Sequence, residues 1–149
     1  MNYLRNLVIL LLFCPWIYAQ AKDAAIVAGR DTAANGLHSA DIAKAIKGSS
    51  HKMPNGKPVI IVLKPAQSVE TRIFGEKCLG QNEKELSALI SSEHALFRVV
   101  ASDQEVIKAV NAIPGSIGLV DVYSINSSVT VLKIDNKSPL EPGYLFHGN

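Results

Sequence analysis

The sequence predicts an α/β domain with a mixed, mainly parallel sheet flanked by helices, and three observations carry that fold class. Val59-Ile60-Ile61-Val62-Leu63 is an unbroken apolar run of strand length, the pattern of a strand buried on both faces. Between Phe97 and Tyr123, a short apolar strand (Arg98 to Ala101) leads through the capping pattern Ser102-Asp103-Gln104-Glu105 into a helical stripe of Val106, Ile107 and Val110. Pro114-Gly115-Ser116 then turns into a second strand, Ile117 to Val120. Strands alternate with helices along the rest of the chain, which argues for a sheet covered on both faces.

Ala24 to Ala28 is the first strand, followed by a polar connection from Gly29 to Leu37 that contains the turn signal Asn35-Gly36. Ser39 is placed to cap a helix whose inner face is Ile42, Ala43 and Ile46, with Gly48 at its C-terminal cap. The loop through Pro54-Asn55-Gly56 leads to the Val59–Leu63 strand. Ser68 is placed to cap the next helix, with Val69, Ile73, Phe74 and Cys78 inward and Gly80 as its stop. Asn82, with Glu85 three residues on, opens a helix with a Leu86, Leu89 and Ile90 stripe. Val129 to Ile134 alternates as a closing strand.

Residues 1–21 read as a signal peptide. Arg5 gives a positive start, Leu7 to Phe13 an apolar segment, and Ala19-Gln20-Ala21 a small-x-small cleavage site. The apolar run falls short of the roughly 20 residues that a membrane-spanning helix needs. Cys14 follows Leu12-Phe13, where a lipoprotein signal would carry small residues, so the expectation is an exported, periplasmic protein that is soluble after cleavage. Residues 22–149 then form a single domain. Loss of Arg5 moves the formal charge from +2 to +1, which lacks the basic footprint of a nucleic-acid binder. Only Cys78 would remain of the two cysteines, so no internal disulfide is available and packing must hold the fold.

Several segments resemble, in order and residue type, the substrate-binding proteins of phosphate ABC transporters and their shorter relatives. The 98–120 unit resembles that family's V-x-S-x-x-E-V-x-x-A-V-x-x-x-P-G-A-I-G-Y-V. Leu37 to Gly48 resembles its L-x-x-x-x-L-x-x-I-F-x-G-K helix, Pro54-Asn55-Gly56-Lys57-Pro58-Val59 its W-x-D-G-x-P-V, and Ser138-Pro139 with Glu141-Pro142-Gly143-Tyr144 its closing tract. The resemblance implies the fold of one lobe of a type 2 periplasmic binding protein. Full-length members are about twice as long, and the segments matched here belong to one of their two lobes.

In that family an R-S-x-x-S-G-T turn at a helix start helps to hold the oxyanion, through backbone N–H groups, hydroxyls and the helix dipole. The matching stretch is Lys64 to Arg72. Lys64 stands at the family's arginine, Ser68 at its second serine, Val69 at its glycine, and Glu70 or Thr71 at its threonine. The resemblance therefore makes Lys64, Ser68, Thr71 and Arg72 the candidate anion-binding residues. Two departures weigh against a strong site: Val69 blocks the close backbone approach that glycine permits, and a desolvated Glu70 carboxylate would repel phosphate.

Nothing in the sequence assembles a catalytic or metal site. His38, His51, His94 and His147 lack a ligand pair at helical spacing. Ser116 lies between glycines, but the order of strand, turn and helix is wrong for a nucleophile elbow. No cofactor is expected. The expected function is a non-catalytic module that binds a phosphate-like oxyanion weakly or in concert with a membrane transporter or sensor partner. The alternative is a scaffold that uses the single lobe for protein docking or self-association, with ligand binding lost.

Overall fold

The structure is a computed structural model that describes residues 22–32 and 35–148, so the expected signal peptide at 1–21 lies outside the described residues. The strands are β1 (Ala24–Gly29), β2 (Ile61–Leu63), β3 (Phe97–Val99), β4 (Ile117–Asp121) and β5 (Val129–Val131). The helices are α1 (Ser39–Lys47), α2 (Val69–Phe74), α3 (Glu83–Ser92) and α4 (Asp103–Ala112); a π-helical turn, Gly75–Leu79, extends α2. One sheet holds the strands in the order β3-β2-β4-β1-β5. β2 pairs in parallel with β3 and β4, whereas β1 is antiparallel to β4 and β5. All strands except β1 therefore point the same way, and the sheet is mixed and mainly parallel, as the sequence predicts.

Strand alternation divides the core between two faces. Ala24, Ile26, Ala28, Ile61, Leu63 and Leu119 pack with α1, α2 and α3, beneath Tyr144 and Phe146 of the C-terminal tail. Ala25, Val27, Val62 and Val120 face the other way, onto Val106, Ile107 and Val110 of α4. β1 and β2 are buried along their whole length, as strands covered on both faces must be. α4 lies close against the sheet because β4 carries Gly118. A Cβ there would come within 2.5 Å of Val106 Cγ1 and 2.8 Å of Val110 Cγ1. The tail is tied back by the Tyr144 hydroxyl, which donates to the Ala24 carbonyl at 2.9 Å.

Local details differ from the sequence expectations in five places. β2 begins at Ile61 rather than Val59, because Val59 N–H is drawn off to the His51 carbonyl in the preceding loop. β3 is Phe97–Val99 rather than Arg98 to Ala101: the Ala101 N–H donates to Glu105 Oε2 at 2.6 Å and leaves the ladder. β5 ends at Val131, and Ile134 instead bridges Leu37 and Lys137. His38, not Ser39, is the cap position of α1; Ser39 is its first residue and its hydroxyl donates to Asp135 at 2.6 Å. Ser68 is the cap residue of α2, yet its hydroxyl makes no capping bond. The Asn82–Glu85 capping box forms in full, and Gly80 stops its helix in the left-handed region at φ 65°.

Candidate functional site

Because β2, β3 and β4 are parallel, their carboxyl ends open onto one edge of the sheet. That edge is where open α/β sheets place ligands. The chain leaves β2 at Leu63 and reaches α2 through Lys64 and Ser68; it leaves β3 at Val99 and reaches α4 through Ser102. Side chains from separate segments thereby meet at the sheet edge.

Lys64 is the centre of this cluster. Its Nζ lies 2.9 Å from Glu70 Oε2 and 2.8 Å from Asp103 Oδ1, with the three side chains 16%, 3% and 11% exposed. Burial opposes the Lys64 ammonium, but the hydrogen bonds and charges of Asp103 and Glu70 outweigh it and hold its pKa above the ordinary lysine value. The other Asp103 oxygen, Oδ2, accepts from the Ser124 hydroxyl at 2.5 Å and from the Asp121 N–H at 3.3 Å. Asp103 is thus supported from three sides. Among the described residues, Glu70 has Lys64 as its ion-pair partner.

The candidate hydroxyls are also engaged within the fold. Ser68 Oγ donates to Thr71 Oγ1 at 2.9 Å, and Thr71 Oγ1 donates to the Lys64 carbonyl at 2.9 Å. Thr71 is fully buried and Glu70 is 2% exposed. Three of the four candidate residues, Lys64, Ser68 and Thr71, therefore come together. Arg72 does not join them; it is exposed and lines a separate cleft with Lys22, Lys77 and His147.

Sequence reasoning missed Asp103, which reads as an ordinary first-turn carboxylate of α4. The available signal lay in the parallel arrangement. A capping pattern directly after one strand puts its first helical residue at the same sheet edge as the residue that follows the neighbouring strand. Ser116, the superficial nucleophile, is buried and donates to the Ile113 carbonyl at 2.7 Å, closing the turn before β4. Among the described residues, no group of three or more His, Cys, Asp or Glu side chains could hold a metal ion, and no helix is long and apolar enough to cross a membrane.

No family model matches the chain, and no curated protein sequence does. Solved structures do match in fold. PstS from Borrelia burgdorferi superposes with a TM-score of 0.64 at 15% identity, covering 87% of this chain and 55% of its own. An ABC-type phosphate transport receptor from Vibrio cholerae gives 0.61 at 17% identity, covering 80% and 48%. A Clostridium perfringens protein with bound phosphate, described as a phosphate ABC transporter substrate-binding protein, gives 0.60 at 18% identity, covering 78% and 46%. At these identities the likeness is one of fold. The chain spans about half the length of the solved proteins it matches.

Proposed function

We propose that the chain is an exported, non-catalytic recognition module that takes a phosphate-like oxyanion weakly or in concert with a partner, either a membrane transporter or a sensor. The observation that carries this reading is the fold likeness to solved phosphate-binding proteins over most of this chain. Weak binding follows from two features. The Lys64 ammonium is already paired with Glu70 and Asp103 at 2.9 and 2.8 Å, so an anion there must compete with two carboxylates. A phosphate brought about 4 Å from the Glu70 carboxylate would also meet a repulsion of about 4 kcal/mol per unit charge at a protein-like dielectric.

A second reading, a docking scaffold or self-associating module with ligand binding lost, is favoured by one specific observation. Lys64 is already neutralised by Glu70 and Asp103, and the Ser68 and Thr71 hydroxyls already donate within the chain. Calorimetric titration with phosphate and sulfate separates the two readings. Recognition predicts measurable heat for phosphate with the wild-type protein; a site at the Lys64 turn further predicts tighter binding in Glu70→Gln, which removes the repelling charge. If both proteins are silent at about millimolar oxyanion, a concentration that corresponds to about 4 kcal/mol of binding, the scaffold reading replaces the first.

A further inference from the structure

Around the side of α2 lies a cleft of different character. Val69, Arg72, Ile73 and Glu76 recur at helical spacing along one face, with Lys77 beside them, and this face looks onto the paired ends of the described chain. There Asp23 bridges His147 in antiparallel fashion, and the Gly148 N–H donates to the Lys22 carbonyl at 2.9 Å. The space between is an open cleft of about 370 Å³. Val69 and Ile73 give its apolar lining, and Lys22, Arg72, Lys77, Glu76 and His147 its polar lining.

Two of the basic side chains in that lining are uncommitted among the described residues and two are paired. Arg72 and Lys77 have no ion-pair partner among the described residues, and Lys22 reaches Asp121 only at 3.6 Å with its side chain 51% exposed. His147 is held through Nδ1 on Asp23 at 2.5 Å, which fixes the ring and leaves Nε2 without a partner among the described residues. Within the lining, Lys22, Arg72 and Lys77 stand against Glu76; with Asp121, the partner of Lys22, and Asp23, the partner of His147, the carboxylates balance these three cations, and the excess lies locally at Arg72 and Lys77. The Lys64 cluster, one ammonium against two carboxylates, carries one net negative charge.

We propose that this cleft, and not the turn at Lys64, seats the anion, and that its ligand is a phosphate monoester. The inference rests on the recognition reading given above and relocates its site. Arg72 and Lys77 take the phosphate head, with Lys22 adding charge from the facing strand; a planar guanidinium suits two phosphate oxygens at once. The ester's less polar body lies over Val69 and Ile73. A bare phosphate ion would leave most of the cleft unfilled, whereas the cleft volume falls at the lower end of small-molecule sites, roughly 300–1,000 Å³.

The test is a chemical-shift titration of the purified protein with phenyl phosphate and with inorganic phosphate. Phenyl phosphate should move the amide signals of Arg72, Ile73, Lys77 and Gly148 and should saturate at lower concentration than inorganic phosphate. The double substitution Arg72→Gln/Lys77→Gln should weaken it by about tenfold or more, the worth of a charge-assisted hydrogen bond, and added salt should weaken it further. Tighter phosphate binding in Glu70→Gln without movement of the cleft signals would place the anion at the Lys64 turn and overturn this inference. Shifts confined to Ser68 through Thr71 would overturn this inference while leaving the recognition reading standing. Unchanged affinity in the double variant, or equal affinity for the two ligands, would overturn the inference as well, and silence toward both ligands in all variants would remove both readings.

Discussion

Replacing Lys64 with methionine tests the physical basis of the sheet-edge cluster. Methionine keeps much of the stem and removes the ammonium. Asp103 would retain the Ser124 hydroxyl and the Asp121 N–H, but Glu70, whose side chain is 3% exposed, would lose its ion-pair partner. Removing one partner of a buried pair costs about 3–5 kcal/mol, because the other charge stays desolvated. For a domain of ordinary stability, about 5–15 kcal/mol, that is a large share. The full effect is present at neutral pH: a lysine whose pKa is raised in the fold contributes its stability below the ordinary lysine value and loses it only as pH climbs through the higher folded value. Urea unfolding followed by far-ultraviolet circular dichroism is the suitable assay, since the one tryptophan, Trp16, falls within the expected leader. The double variant Lys64→Met/Glu70→Leu should recover about 2 kcal/mol or more of the loss, a coupling typical of side chains in contact. A cost below about 1 kcal/mol for the single variant, the range of surface pairs, or a double variant as unstable as the single one, would refute the reasoning.

Three further outcomes are expected. Burial first, and then the charge of Asp135, push the Cys78 thiol up to about 11 from a reference value of 9.0, so at pH 8 its alkylation should run about a hundredfold slower than that of a free cysteine; mass spectrometry over time reads this directly. Gly118→Ala would drive a methyl into Val106 and Val110 and should cost about 1–3 kcal/mol by overpacking, measured as a lowered urea midpoint with unchanged slope. N-terminal sequencing of secreted material should begin at or near Lys22, and recovery of an acylated Cys14 would replace the soluble expectation with a lipid-anchored one.

Much of the architecture was legible because burial on both faces leaves a local mark. The Val59–Leu63 run and the Ala24–Ala28 run needed no partner information, and the Ser102 and Asn82 capping patterns placed α4 and α3 within a residue. What the sequence hid depends on non-local partners. The antiparallel insertion of β1 between β4 and β5 reflects pairing across the whole chain, and nothing in Ala24–Gly29 alone encodes its direction. The caps at Ser39 and Ser68 differ from expectation for a related reason: both hydroxyls donate to a side-chain oxygen, Asp135 in one case and Thr71 in the other, and neither accepts from the first backbone N–H groups of its helix, although Ser68 does hold the cap position. The site divided likewise. Lys64, Ser68 and Thr71 are neighbours because one turn holds them, while Asp103 joins them only through the parallel register of β2 and β3.

The division of charge along α2 follows from the burial of the strand end beside it. A lysine at the end of a buried strand must be neutralised, since an unpaired ammonium with little exposure is costly. An anion from solution could fill that role only where the site encloses it. A carboxylate fixed in the first turn of the same helix does so with no loss of translational freedom, and Glu70 occupies that position beside Lys64. With Lys64 committed internally, the cations of this helix and its π-helical extension that remain outward are Arg72 and Lys77, which line the flanking cleft. Lys64 and Glu70 thus belong to one physical arrangement, in which the helix start is closed by the chain's own charge while Arg72 and Lys77, unpaired among the described residues, lie on its flank.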